Sequence, residues 1–163
     1  MSNDLYRLAD FFQEADLKWK PIGLSSDRTK ARVAPFLSNR AIMDRLDQVC
    51  GPENWRNEYT SGPAGGVVCG LSVRVLRDDA PAEWITKWDG AENTDIQPVK
   101  GGLSAAMRRA AVQWGIGRYI YALPTIWAAV DKDGKLCERP RIPAEFIPRP
   151  VRKLDGNRTK EAA

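Results

Sequence analysis

Two adjacent arginines, Arg108 and Arg109, stand in the otherwise mostly apolar stretch KGGLSAAMRRAAVQWGIGRYIYAL at residues 100–123. Paired guanidinium groups neutralise phosphates, and each such contact releases counterions from a nucleic acid. A second basic window, residues 17–40, carries Lys18, Lys20, Arg28, Lys30, Arg32 and Arg40 against Asp27 alone. Arg74, Lys87 and Lys100 add further cations between the two, and the chain holds fourteen aromatic residues. Proteins that bind single strands combine a basic groove with aromatic side chains for stacking. The plain alternatives are a solvated helix face for Arg108 and Arg109 and a solvated loop for the 17–40 window.

Catalytic chemistry has less to build on. Asp89, Glu92 and Asp95 lie close in sequence, and a hard cation such as Mg²⁺ takes such oxygens. Lys87 or Lys100 could complete a metal-dependent nuclease, but the spacing matches no nuclease signature, and a solvated acidic loop is the better reading. Gly101-Gly102 precedes a helix without forming a phosphate-binding loop signature. With no histidine in 163 residues, a Ser-His-Asp or Cys-His apparatus and a histidine-ligated zinc are excluded. Cys50, Cys69 and Cys137 are far apart and form no C-x-x-C. The chain therefore reads as a binding protein and not an enzyme, with no metal and no cofactor. A nuclease built on residues 89–95 and a protein-interaction module are the alternatives.

The net charge of +4 is unevenly placed. Residues 139–163 hold seven basic and three acidic residues, so residues 1–138 are neutral, with 18 of each sign. Local clustering, not the overall balance, must carry any electrostatic argument. These features predict a DNA-binding domain over 1–139 and a basic, Pro-rich, flexible tail over 140–163. The sparse thiols and the lack of a leader or a long apolar run predict a cytoplasmic protein without membrane contact.

The elements that position the cations follow from periodicity. Leu5, Leu8, Ala9 and Phe12 predict a short amphipathic helix over 3–15. Ser38 predicts an N-cap for a helix bearing Ile42, Leu46, Val49 and Cys50, stopped by Gly51-Pro52. The period then changes to two: Trp55–Tyr59, Val67–Val75 and Trp84–Trp88 predict three strands of an antiparallel meander. Trp55, Trp84, Trp88 and Trp114 are read as core-facing. Leu103, Ala106, Met107, Ala110 and Trp114 form the apolar stripe of a long helix, with Arg108 and Arg109 on either side of its opposite face. Asp131–Lys135 predicts a hairpin turn between short strands. The expected fold is α+β: an antiparallel three-stranded, or slightly larger, β-meander with a long helix packed across it, a β-β-β-α core, plus flanking N-terminal helices.

The segment GLSAAMRRAAVQWGIGRYIYAL with Lys100-Gly101 before it resembles the long-helix motif of the RAD-fifty-two superfamily of single-strand annealing proteins, in its bacterial and phage DdrA-like branch. RAIMDRLDQVCGPENW at residues 40–55 is similar to the helix-then-strand opening of that branch, and VVCGLSV and EWITKWDGAENTD fit its sheet in order. The resemblance covers roughly residues 17–130. It implies ATP-independent binding and annealing of single-stranded DNA in recombination and repair, with assembly into a homo-oligomeric ring or filament. Other recombination or replication proteins would be partners. It places the family's basic pair on Arg108 and Arg109 and its earlier basic residue near Arg32, with Arg28 or Lys30 beside it. Three positions depart from the pattern: Ala105 replaces an acidic residue, Arg108 replaces a lysine, and Val112 stands where the eukaryotic branch is basic.

Overall fold

The computed structural model describes residues 4–78, 80–92 and 98–146, with the backbone alone for residues 64, 98–100 and 144. The two sheets and two helices make an α+β protein. Asp95 and the expected tail from residue 147 onward lie outside the described residues.

Of the basic window 17–40, for which a solvated loop is the plain alternative, residues 17–37 form a hairpin and Asn39 and Arg40 open the next helix. Strand β1 (Leu17–Leu24) pairs antiparallel with β2 (Lys30–Leu37), from Leu17 opposite Leu37 to Leu24 opposite Ala31, with a bulge between Pro21 and Gly23. Strand β6 (Ile126–Ala129) arrives from far along the chain and pairs with the other edge of β2, giving the order β1-β2-β6. The expected partner of β6 is reduced to one bridge, Val130 to Leu136. The turn itself forms, with Asp131 accepting from the Asp133 and Lys135 amides and Gly134 at φ 76°.

Helix α1 (Asn39–Cys50) starts and stops where its sequence predicts. Ser38 Oγ accepts from the Ala41 amide at 3.3 Å, and Gly51 takes φ 87° as its amide closes the last turn onto Asp47. Ile42, Leu46 and Cys50 are buried. The residue 3–15 helix is not formed. Only a 3-10 turn, Leu5–Ala9, is present, ended by Asp10 in an extended conformation. The Arg45 guanidinium takes the carbonyls of Arg7, Leu8, Asp10 and Phe11 and lies 4.1 Å over the Phe12 ring. Carbonyls that a longer helix would turn on its own amides thus point at a side chain instead.

The meander is present: β3 (Trp55–Ser61), β4 (Val67–Arg77) and β5 (Ala80–Ala91), in that spatial order. Helix α2 (Pro98–Gln113) lies against β4 and β5. Cys69, Leu71 and Val73 of β4 are fully buried in one cluster with Ala106, Met107, Ala110 and Ala111 of α2. The Trp114 indole N–H donates to the Leu71 carbonyl at 2.9 Å. By alternation, the helix-facing side of β5 carries Ile85, Lys87 and Asp89, while Trp84, Thr86 and Trp88 point away. The expectation that Trp84 and Trp88 face the core is therefore overturned: they are 39% and 47% exposed. Trp55 and Trp114 are half-buried.

Past α2 the chain turns on Gly115 (φ 92°) and Gly117 (φ 65°). A Cβ on Gly117 would stand 2.5 Å from Leu37 Cδ1, so a glycine is needed there for conformation and for space. A smaller cluster of Ala31, Val33 and Val130 supports the first sheet. The described part of the segment after residue 139 is not detached, since Ile142 is buried in the main core.

Candidate nucleic-acid interface

The two adjacent arginines leave α2 in different directions. Arg109 reaches β5, where its Nε donates to Asp89 Oδ1 at 2.9 Å, and Gln113 donates to Asp89 Oδ2 at 3.3 Å. Partial burial raises the Asp89 pKa, but the Gly90 amide, Arg109 and Gln113 outweigh it and hold the carboxyl below its ordinary value. Asp89, considered above as a metal ligand, is thus engaged by a cation. Glu92 is exposed, and among the described residues no group of three ligating side chains could hold a metal ion.

Arg108 reaches the first sheet. Its guanidinium lies 5.9 Å from the centre of the Phe36 ring on β2, and no carboxylate among the described residues lies within ion-pair distance. Burial draws its pKa below the ordinary value, against the pull of Tyr121. A guanidinium nevertheless stays charged at all relevant pH. Arg108 stands at a half-open cavity of about 290 Å³ whose other walls include Ile22, Phe36, Val112, Ile116 and Leu123. Low-dielectric walls make one cation a stronger attractor for an anion than the same charge in water. Val112, at the position that the resemblance marks as basic elsewhere, is one of these apolar walls.

The exposed face of the first sheet continues from this cavity. Alternation puts Lys30, Arg32, Ala34 and Phe36 on one side of β2 while Ala31 and Val33 are buried on the other. Arg32 is four residues from Phe36, about 13 Å along the strand. Its register partner on β6 is Trp127, a residue 54% exposed. Lys18 and Lys20 pair with Phe36 and Ala34 from the other edge. One sheet face thus carries Lys18, Lys20, Lys30, Arg32 and Trp127 and leads to Arg108.

The hairpin tip presents Arg28, at φ 58°. Asp27 makes that turn: it accepts from Ser25 Oγ at 2.6 Å and from the Thr29 amide at 3.1 Å, bonds that lower its pKa to about 2.

The remaining sequence candidates fall elsewhere. Lys87 Nζ donates to the Gln113 carbonyl at 2.9 Å and lies 4.4 Å over the Trp114 ring, closing the carbonyl end of α2. Arg118, not singled out in the sequence, does the same for the Val112 and Gln113 carbonyls. Arg74 is exposed on the far side of β4, opposite Trp84. Lys100 belongs to the first turn of α2, and its side chain lies outside the described residues. Lys18 and Lys20, named in the basic window, share this face as their period-two spacing allows, and Trp127, which the sequence did not single out, joins them.

These features define an α+β protein with a basic, aromatic-edged groove between a small sheet and a long helix. The profile of the Rad52/22 family double-strand break repair proteins matches residues 5–136, and the chain belongs to that family. It is 36% identical over 127 residues to the single-stranded DNA-binding protein DdrA of Deinococcus radiodurans, covering 77% of this chain and 58% of that protein. It is 34% identical over 125 residues to DdrA of Deinococcus deserti, covering 76% and 59%. The chain thus spans less than two thirds of the length of these relatives. No solved structure matches it.

Proposed function

We propose that this protein binds single-stranded DNA and anneals complementary strands without ATP, in homologous recombination and repair. The observation that carries the reading is the run of Lys30, Arg32 and Trp127 on one exposed sheet face, ending at a half-buried Arg108 beside an apolar cavity. The DdrA relatives, named for single-stranded DNA binding, support it. Arg108 would take a phosphate bidentately, Lys30, Arg32 and Arg28 would follow the backbone, and Trp127 would stack a base. Arg109 would contribute less, because Asp89 already neutralises it.

The same reading makes the working form a homo-oligomeric ring or filament with a β-β-β-α unit in each subunit. Residues 1–139 would be the DNA-binding domain, and the basic 140–163 segment would add an auxiliary contact. Among the described residues no helix is long and apolar enough to cross a membrane. The test mixes complementary labelled oligonucleotides with the protein and no nucleotide, and follows pairing by fluorescence. The expected result is pairing at least tenfold faster than the spontaneous rate with both strands intact. Unchanged pairing, or strands cut in Mg²⁺, would refute it.

A further inference from the structure

The cavity beside Arg108 is larger and more apolar than a phosphate requires. A phosphodiester would engage the guanidinium and leave the hollow behind it unfilled. That hollow measures about 290 Å³, whereas an apolar cavity of roughly 150 Å³ already takes a benzene ring. Of the residues that line it, only Arg108, Tyr121 and Thr125 carry polar side chains. Leu37, Ile42, Ile116 and Ile120 are buried and close its floor, while Ile22 and Tyr121 are 50% and 70% exposed and form its rim. Tyr121 is near enough to Arg108 to favour its charged form. Two further lining residues, Ala34 and Phe36, are the register partners of Lys20 and Lys18. Two exposed lysines therefore stand beside the opening, on the same sheet face as the residues they pair with.

We propose that this cavity is a docking site for the C-terminus of an acidic peptide whose last residue is bulky and apolar. The terminal side chain fills the hollow, and its α-carboxylate takes the Arg108 fork bidentately. The acidic residues before it run past Lys18 and Lys20, so the charges of peptide and rim are complementary. A nucleobase suits these walls poorly, because the hydrogen-bonding groups on its edges would be buried against isoleucine, leucine and valine without partners. A fatty acid carries a single charge and leaves the lysines unmatched. Peptide and strand meet the same guanidinium and therefore exclude one another, so a partner bearing such a terminus displaces the strand from the groove. The inference shares Arg108 with the function proposed above, but peptide binding is measured without DNA.

The test titrates fluorescein-labelled Asp-Asp-Asp-Leu-Phe, with a free C-terminus, with the full chain and follows anisotropy. The same peptide amidated, and one ending in alanine, are run beside it. Saturable binding of the free acid is expected, with amidation and the terminal alanine each weakening it about tenfold. Arg108→Ala should weaken it about tenfold as well. Ile22→Trp, which crowds the rim at an exposed position, should abolish binding while circular dichroism shows the fold intact. Lys87→Ala, which does not line the cavity, should leave it unchanged. No saturation by about 1 mM overturns the inference. So does equal binding of the three peptides, which would make the attraction one of charge alone, and so does undiminished binding by a folded Ile22→Trp protein. Unlabelled free-acid peptide is then expected to release labelled oligo-dT, and a complex holding both at once overturns the inference. If oligo-dT does not bind at all, the function proposed above fails, while the peptide titration still decides this one.

Discussion

The described residues form two antiparallel sheets of three strands each, and the sheets divide labour by what lies on their faces. The meander β3-β4-β5 buries Cys69, Leu71 and Val73 completely against α2 and belongs to the main core. The sheet β1-β2-β6 buries Ala31 and Val33 with Val130 in a small cluster, joins the main core through Leu17 and Leu37, and devotes its other face to Lys18, Lys20, Lys30 and Arg32. One sheet is a scaffold; the other is a surface held in place by it. Arg108 and Arg109 mark the divide, one turned to the surface sheet and the other fixed to the scaffold by Asp89.

The largest test of this division is mechanical. Leu71→Ala empties a fully buried site and is expected to lower stability by about 2–5 kcal/mol, whereas Val33→Ala is expected to cost roughly 1.5 kcal/mol. Denaturant unfolding midpoints measure both, and equal losses would erase the distinction. Next, Lys87→Ala removes a cation from the carbonyl end of α2 and is expected to cost about 1 kcal/mol. Its effect on the salt dependence of DNA binding should be nil; a reduced slope would return Lys87 to the binding surface.

Thiol accessibility probes the same divide. Burial, with Asp47 adding for Cys50, raises the Cys50 and Cys69 thiols to about 11, while Cys137 is exposed. Only the thiolate alkylates, so native protein at pH 8 should take one iodoacetamide adduct, on Cys137, by intact mass. Three adducts would show that the scaffold side is open. The smallest effect is at the hairpin tip. Asp27 has a lowered pKa, so its contribution is complete above the ordinary 3.8 and is lost only as pH falls through about 2. NMR titration of its carboxyl carbon should find the midpoint near 2, and one near 3.8 would mean that the turn is not held as described.

The scaffold was the more legible half of the sequence, for physical reasons. Ser38 and Gly51-Pro52 are local signals, and so is the alternation of β3, β4 and β5. Only the facing of β5 misled. Tryptophan is large enough to be expected inside, yet Lys87 and Asp89 point toward the helix because the Gln113 carbonyl and Arg109 satisfy them. Gly70, which leaves room for the Trp88 ring, was the overlooked sign. The surface sheet hid because the middle of its buried face is built from the small residues Ala31 and Val33, because Pro21 and Gly23 imitate a loop, and because β6 pairs from some ninety residues away. The basic residues were visible; the strand that lines them up was not. The 3–15 segment shows the converse, helical spacing overridden by Arg45 gathering its carbonyls.

The central claim is that Arg108 and the β2 face form one phosphate-binding groove. It is tested most directly by fluorescence-anisotropy titrations of a labelled oligo-dT across a salt series, for wild type, Arg108→Ala and Arg32→Ala. Each lost phosphate contact should lower the magnitude of the log–log salt slope by about 0.7, with affinity falling about tenfold for Arg108→Ala and less for Arg109→Ala. Folded Arg108→Ala and Arg32→Ala proteins with wild-type affinity and slope would contradict it.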